Sequence, residues 1–100
     1  MATKTVSKVS DKNSVLQPRM WNVVFLNDDV TPMDLVIDIL DLIFNHSQET
    51  AKEIMLKIHN EGKAIAGTYS YQIAEQKALE ATEMARKNGS PLKINLEEIK

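Results

Sequence analysis

Pro32-Met33-Asp34-Leu35-Val36-Ile37-Asp38-Ile39-Leu40-Asp41-Leu42-Ile43-Phe44 reads as a helix whose polar positions, Asp34, Asp38 and Asp41, form one narrow stripe at helical spacing. The other positions are apolar, so most sides of the helix must be covered by the rest of the chain, and the segment is expected to be the central helix of a domain. Thr31-Pro32 reads as its start, because Thr can accept from exposed backbone N–H groups and Pro tolerates the first helical position.

Working outward, the run Trp21 to Leu26 is short, β-branched and aromatic, which predicts a strand. Asn27-Asp28-Asp29 therefore crowds an amide and two carboxylates into the short connection between strand and helix, with Met33 just inside the helix beside them. Acceptors next to an apolar side chain suit a cation that carries an apolar substituent. Downstream, Asn45-His46 breaks the helical pattern and Ser47 reads as the N-cap of a second helix, with Glu49 near its positive end. That helix buries Ala51, Ile54, Met55 and Ile58 and stops at Gly62. Lys63 to Tyr69 reads as a second strand, weakened by Ala and Gly67. Ser70 opens a third helix, on which Ile73, Ala74, Ala78, Ala81, Met84 and Ala85 recur; Asn88-Gly89 ends it and Pro91 bars continuation. Leu92, Ile94 and Leu96 then alternate with Lys93 and Asn95 as a half-buried strand. The order β-α-α-β-α-β predicts an α+β fold, a single sheet packed against a helical layer.

Size and charge narrow the function. A chain of 100 residues with 43% apolar content can build one small domain with one modest core. Residues 1–19 carry Lys4, Lys8, Lys12 and Arg19 against Asp11, a net +3, whereas residues 20–100 carry eight basic and thirteen acidic groups, a net −5. An acidic body argues against nucleic-acid binding, which needs a basic surface. The polar first segment, 1–19, is expected to be a flexible extension, either solubilising or used by a partner, ahead of a domain at 20–100. No apolar run approaches the roughly 20 residues that cross a bilayer, and nothing reads as a signal peptide. The chain has no cysteine, so neither a disulfide nor a thiolate is available. A cytoplasmic, monomeric protein without a membrane or nucleic-acid partner is the expectation.

Catalytic patterns are sparse. Gly62, Gly67 and Gly89 are isolated, so no phosphate-cradling loop exists, and no Ser sits between glycines as in a nucleophile elbow. Asp28 and Asp29 with His59 could serve a small metal-assisted hydrolase, but two acids and one His without ligand spacing make a weak metal signal. By spacing alone, Asp28 and Asp29 read as turn and capping residues, and Met33, Val36, Met55 and Ile58 as core. His59 lies one turn beyond Met55 on the same face and reads as a histidine stabilised by the negative end of its helix. His46 reads as a loop residue, and Glu75 and Lys77 as a solvated helix face.

The run NDDVTPM followed by LVIDIL, then MLKIHNEGKAIAG, then the helix containing AEQKA, resembles the ClpS family of protease adaptors. The likeness runs from about Trp21 to Leu96. It implies an antiparallel three-stranded sheet with three helices. It also implies a protein without catalysis or cofactor that delivers substrates with bulky hydrophobic N-terminal residues (Leu, Phe, Trp or Tyr) to a Clp AAA+ unfoldase, ClpA-like or ClpC-like. By the same resemblance Asn27, Asp29 and His59, assisted by Asp28, contact the substrate α-amino group. Thr31, Met33, Val36, Met55, Ile58 and Leu92 shape the side-chain pocket, with Met33 as a gate against β-branched residues. Glu75 and Lys77 face the unfoldase N-terminal domain, and the extension serves delivery. Ile58 departs from the commoner Val, and Gln72 stands where many relatives are acidic. The alternatives are the metal-assisted hydrolase and a non-catalytic docking module.

Overall fold

The computed structural model describes residues 19–100. In chain order these form β1 (Met20–Leu26), α1 (Met33–Leu42), α2 (Gln48–Glu61), β2 (Lys63–Ser70), α3 (Tyr71–Lys87) and β3 (Lys93–Glu98). The strands make one antiparallel sheet in the order β2-β1-β3. The fold is the expected α+β arrangement. The extension expected at 1–19 lies, apart from Arg19, outside the described residues.

The first strand is central because it is the one most apolar on both sides. Val23, Val24 and Phe25 are consecutive and all buried, which a strand with one wet face would not allow. Val23 and Phe25 face the helices. Leu96 and Ile94 of β3 stand opposite them on one side, Gly67 and Ala64 of β2 on the other. The β1–β2 register shifts between Val23 and Val24, so Ala66 is an extra residue that bulges β2. Gly67 follows that bulge, and a Cβ there would collide with the Tyr69 ring lying over it. The glycine that weakened the strand in sequence thus makes room for an aromatic.

The central helix buries Leu35, Val36, Ile39 and Leu40 along one broad face. It is shorter than the apolar run suggests, and Leu42 remains 66% exposed at its end. Asn45, at φ 59°, takes the left-handed turn that an Asn tolerates, and its N–H donates to the Asp41 carbonyl at 3.0 Å. Phe44, past the helix end, is still buried, edge-on to Phe25 at 5.5 Å. The expected cap is not made: Pro32 occupies the N-cap position with no side-chain bond, and the Thr31 hydroxyl is engaged elsewhere. Ser47 does cap α2, accepting from Thr50 N–H at 3.1 Å, and Gly62 ends that helix at φ 93°.

On α3 the small residues Ala74, Ala81 and Ala85 are fully buried, which lets the helix lie close to the sheet. Ile73, expected on that face, is half exposed because it lies about 100° around the helix from Ala74. Ser70 is the N-cap residue of α3 but makes no side-chain cap bond. Leu92 precedes β3 rather than belonging to it, yet is almost fully buried.

Candidate functional site

Where the end of β1, the first turn of α1 and the last turns of α2 meet, they enclose a cavity of about 230 Å³. All ten residues expected at the site line it: Asn27, Asp28, Asp29, Thr31, Met33, Val36, Met55, Ile58, His59 and Leu92. Leu26, not anticipated, is the remaining wall. Each arrives by simple geometry. Met33 and Val36 are one turn apart on α1, while Met55, Ile58 and His59 fall at i, i+3 and i+4 on α2. The Asn27 N–H donates to the Gly62 carbonyl at 2.8 Å, fastening the start of the rim loop to the end of the helix that carries His59.

The cavity is graded. Val36, Met55, Ile58 and Leu92 form a buried apolar floor, and Met33, 46% exposed, stands at the mouth. Asn27, Asp29 and His59 are exposed on the rim. Among the described residues their side chains take no part in the site's internal hydrogen bonds, which run instead through Asp28, Thr31 and Ser90.

Asp28 behaves differently from its neighbour. One carboxylate oxygen accepts from Val30 N–H at 2.8 Å and Thr31 N–H at 2.7 Å, and the other from the Thr31 hydroxyl at 2.8 Å. Partial burial alone would raise this carboxyl. The bonds from Thr31 and Val30, with the Arg86 charge, outweigh it and hold Asp28 below the usual carboxylate range. Asp28 is thus an ionised organiser of the 28–31 turn. Ser90 and Arg86, which complete that network, carried no signal in the sequence beyond a turn before Pro91 and a basic last turn of helix.

Asp28, Asp29 and His59 share the cavity, but among the described residues no group of three or more His, Cys, Asp or Glu side chains is placed to hold a metal ion. Both Asp28 oxygens accept from the turn, Oδ1 from two backbone N–H groups and Oδ2 from the Thr31 hydroxyl. Glu75 and Lys77 lie on α3, outside the cavity. Glu75 is exposed and accepts from the Tyr71 hydroxyl at 3.2 Å. Lys77 is not an ordinary solvated residue: it is half-buried and donates to the Ile43 carbonyl at 2.8 Å, beside the rings of Tyr69 and Phe44.

The family model described as "ATP-dependent Clp protease adaptor protein ClpS" matches residues 16–95. The chain belongs to the ClpS family. It is 48% identical over 89 residues to the adapter protein of Vibrio atlanticus, covering 89% of this chain and 84% of that one. With the adapter protein of Shewanella halifaxensis the identity is 50% over 82 residues, covering 82% and 80%. A solved structure of Agrobacterium tumefaciens ClpS2 bound to L-phenylalaninamide superposes with a TM-score of 0.81 at 35% identity, covering 83% of this chain and all of that one. The ClpS family is one of Clp protease adaptors, and this chain has its fold. None of its helices, among the described residues, is long and apolar enough to cross a membrane.

Proposed function

We propose that this ClpS-family chain binds the first residue of a polypeptide and hands the polypeptide to a Clp AAA+ unfoldase. The side-chain floor takes Leu, Phe, Trp or Tyr while the rim takes the free α-amino group. One observation carries the reading: exposed acceptors and a buried apolar floor line the same cavity. An N-terminal ammonium has donors and no acceptor, so its site must supply acceptors. The Asn27 side-chain oxygen, the Asp29 carboxylate and a neutral His59 ring nitrogen are of that kind, and Asp28 acts by shaping the turn that presents Asp29. The ligand of the Agrobacterium relative supports the reading, because L-phenylalaninamide combines a free amine, a benzyl side chain and an amide, as does the start of a polypeptide that begins with Phe.

Magnitudes agree with reversible binding and no covalent step. A charge-assisted hydrogen bond contributes roughly 1.5–3 kcal/mol and burial of a Leu or Phe side chain roughly 1.5–3 kcal/mol. After the costs of association, micromolar to submicromolar affinity follows. Met33 at the mouth is the gate that disfavours branching at Cβ, and Glu75 and Lys77 on α3 face the unfoldase, Lys77 also tying the end of α1 through the Ile43 carbonyl.

The test is a titration with a Phe-starting peptide, once with a free amino terminus and once acetylated. Acetylation removes the charge and two donors, so binding is expected to fall below detection. Equal affinity for the two peptides would defeat the proposal.

A further inference from the structure

Ser90 is the buried polar side chain among the described residues, 3% exposed, and every polar atom it has is engaged. Its N–H donates to the Ala85 carbonyl at 2.9 Å, closing the end of α3. Its carbonyl accepts from Arg86 Nη1 at 2.9 Å, and the same nitrogen donates to the Leu92 carbonyl at 2.8 Å. Its hydroxyl oxygen accepts from the Leu92 N–H at 3.0 Å and stands 2.6 Å from the Thr31 hydroxyl, across 59 positions of sequence.

Proton bookkeeping gives this contact a direction. A hydroxyl has one proton to donate. That of Thr31 goes to Asp28 Oδ2, so Ser90 must donate to Thr31. The chain therefore runs one way, from Leu92 N–H through Ser90 and Thr31 to the Asp28 carboxylate, where it ends on a charge. A charged terminus strengthens its last bond, and bonds in series polarise one another.

We propose that Ser90 is a positioning residue of the peptide site, its hydroxyl coupling the pocket floor at Leu92 to the rim turn at Thr31 and Asp28. The inference rests on reading the cavity as a peptide site. Leu92 and Thr31 both line that cavity, but they belong to segments far apart in the chain. Held together through Ser90, floor and rim need not be ordered when a ligand arrives, and that ordering cost is absent from the affinity.

The experiment compares Thr31→Val, Thr31→Ser, Ser90→Ala and the double variant Thr31→Val/Ser90→Ala, each by affinity for a Phe-starting peptide and by thermal unfolding. Valine keeps the size of Thr31 without its hydroxyl, and serine keeps the hydroxyl. Thr31→Val and Ser90→Ala should each weaken binding about tenfold, at temperatures where each variant is folded. Thr31→Ser, which keeps the hydroxyl, should lose clearly less affinity than Thr31→Val. The double variant should bind no worse than the poorer single one, because one chain cannot be broken twice. A purely structural role predicts lower unfolding midpoints with unchanged affinity, and that result overturns the proposal. So do losses that multiply in the double variant, or a Thr31→Ser loss as large as that of Thr31→Val. If Ser90→Ala does not fold, an unchanged affinity of Thr31→Val still overturns the proposal. Should the folded unaltered protein fail to bind the peptide at all, the proposed function falls and the coupling with it.

Discussion

The molecule has two corners built from similar parts, the α1–α2 connection and the pocket mouth. At the first, a basic residue of α3 (Lys77) donates to the Ile43 carbonyl, and His46 Nε2 bonds to the Ala66 carbonyl of β2. At the second, another basic residue of α3 (Arg86) donates to the Ser90 and Leu92 carbonyls, but His59 is left exposed at the cavity. In both corners a cation on α3 ties down an irregular segment. The difference lies in the acceptors that remain. The first corner binds its histidine to the fold, whereas in the second, among the described residues, the side chains of Asn27, Asp29 and His59 stay outside the internal hydrogen bonds. Adjacent carboxylates repeat the contrast within one loop: Asp28 is tied to Thr31 and Val30, and Asp29 is open at the rim. Groups tied into the fold and groups left open at the cavity can be told apart here by their partners and not by their type.

The largest expected effect tests the histidines as a pair. His59→Ala should weaken binding of a Phe-starting peptide by roughly 10- to 100-fold and leave the unfolding midpoint nearly unchanged. His46→Ala should do the reverse, costing about 1 kcal/mol of stability in denaturant titration with affinity held within about twofold. Identical behaviour of the two variants would erase the distinction between the corners.

A smaller effect sharpens the pocket side. Met33→Ala removes bulk at the mouth and should narrow the preference for Leu over Ile or Val termini by about tenfold, read from competition titrations. Unaltered discrimination would move the gate to another wall, with Ile58 the next to test.

The smallest effect concerns Asp28 against its neighbour. Its folded carboxyl titrates below the ordinary range, so the unfolded chain takes up the proton first on acidification. The stabilisation from Asp28 is therefore complete above about pH 4 and is lost as pH falls through the depressed folded value. Asp28→Asn should lower the unfolding midpoint by a few degrees at about pH 6, and the gap to the unaltered protein should close toward about pH 2. A comparable gap for Asp29→Asn would show that both carboxylates serve the fold.

Much of this was legible from residues alone. Helical spacing of apolar positions from Pro32 to Phe44, the Ser47 cap and the Gly62 stop identified elements, because those signals act within a few residues of chain. The family resemblance pointed to ten residues, and the structure gathers them, together with Leu26, around one cavity. Local rules failed where tertiary partners competed. Thr31 reads as a helix cap, but Asp28 and Ser90 engage its hydroxyl. Lys77 reads as solvated, but the end of α1 lies within its reach. Ile73 reads as core but sits off the alanine face.

Sequence by itself determined the kinds of groups present: which segments coil or extend, and which side chains can accept from an ammonium or bury an apolar residue. Only the tertiary structure decided which acceptors stay open. That choice depends on Ser90 meeting Thr31 across 59 positions and Lys77 meeting Ile43 across 34, encounters that packing creates and that no local pattern encodes.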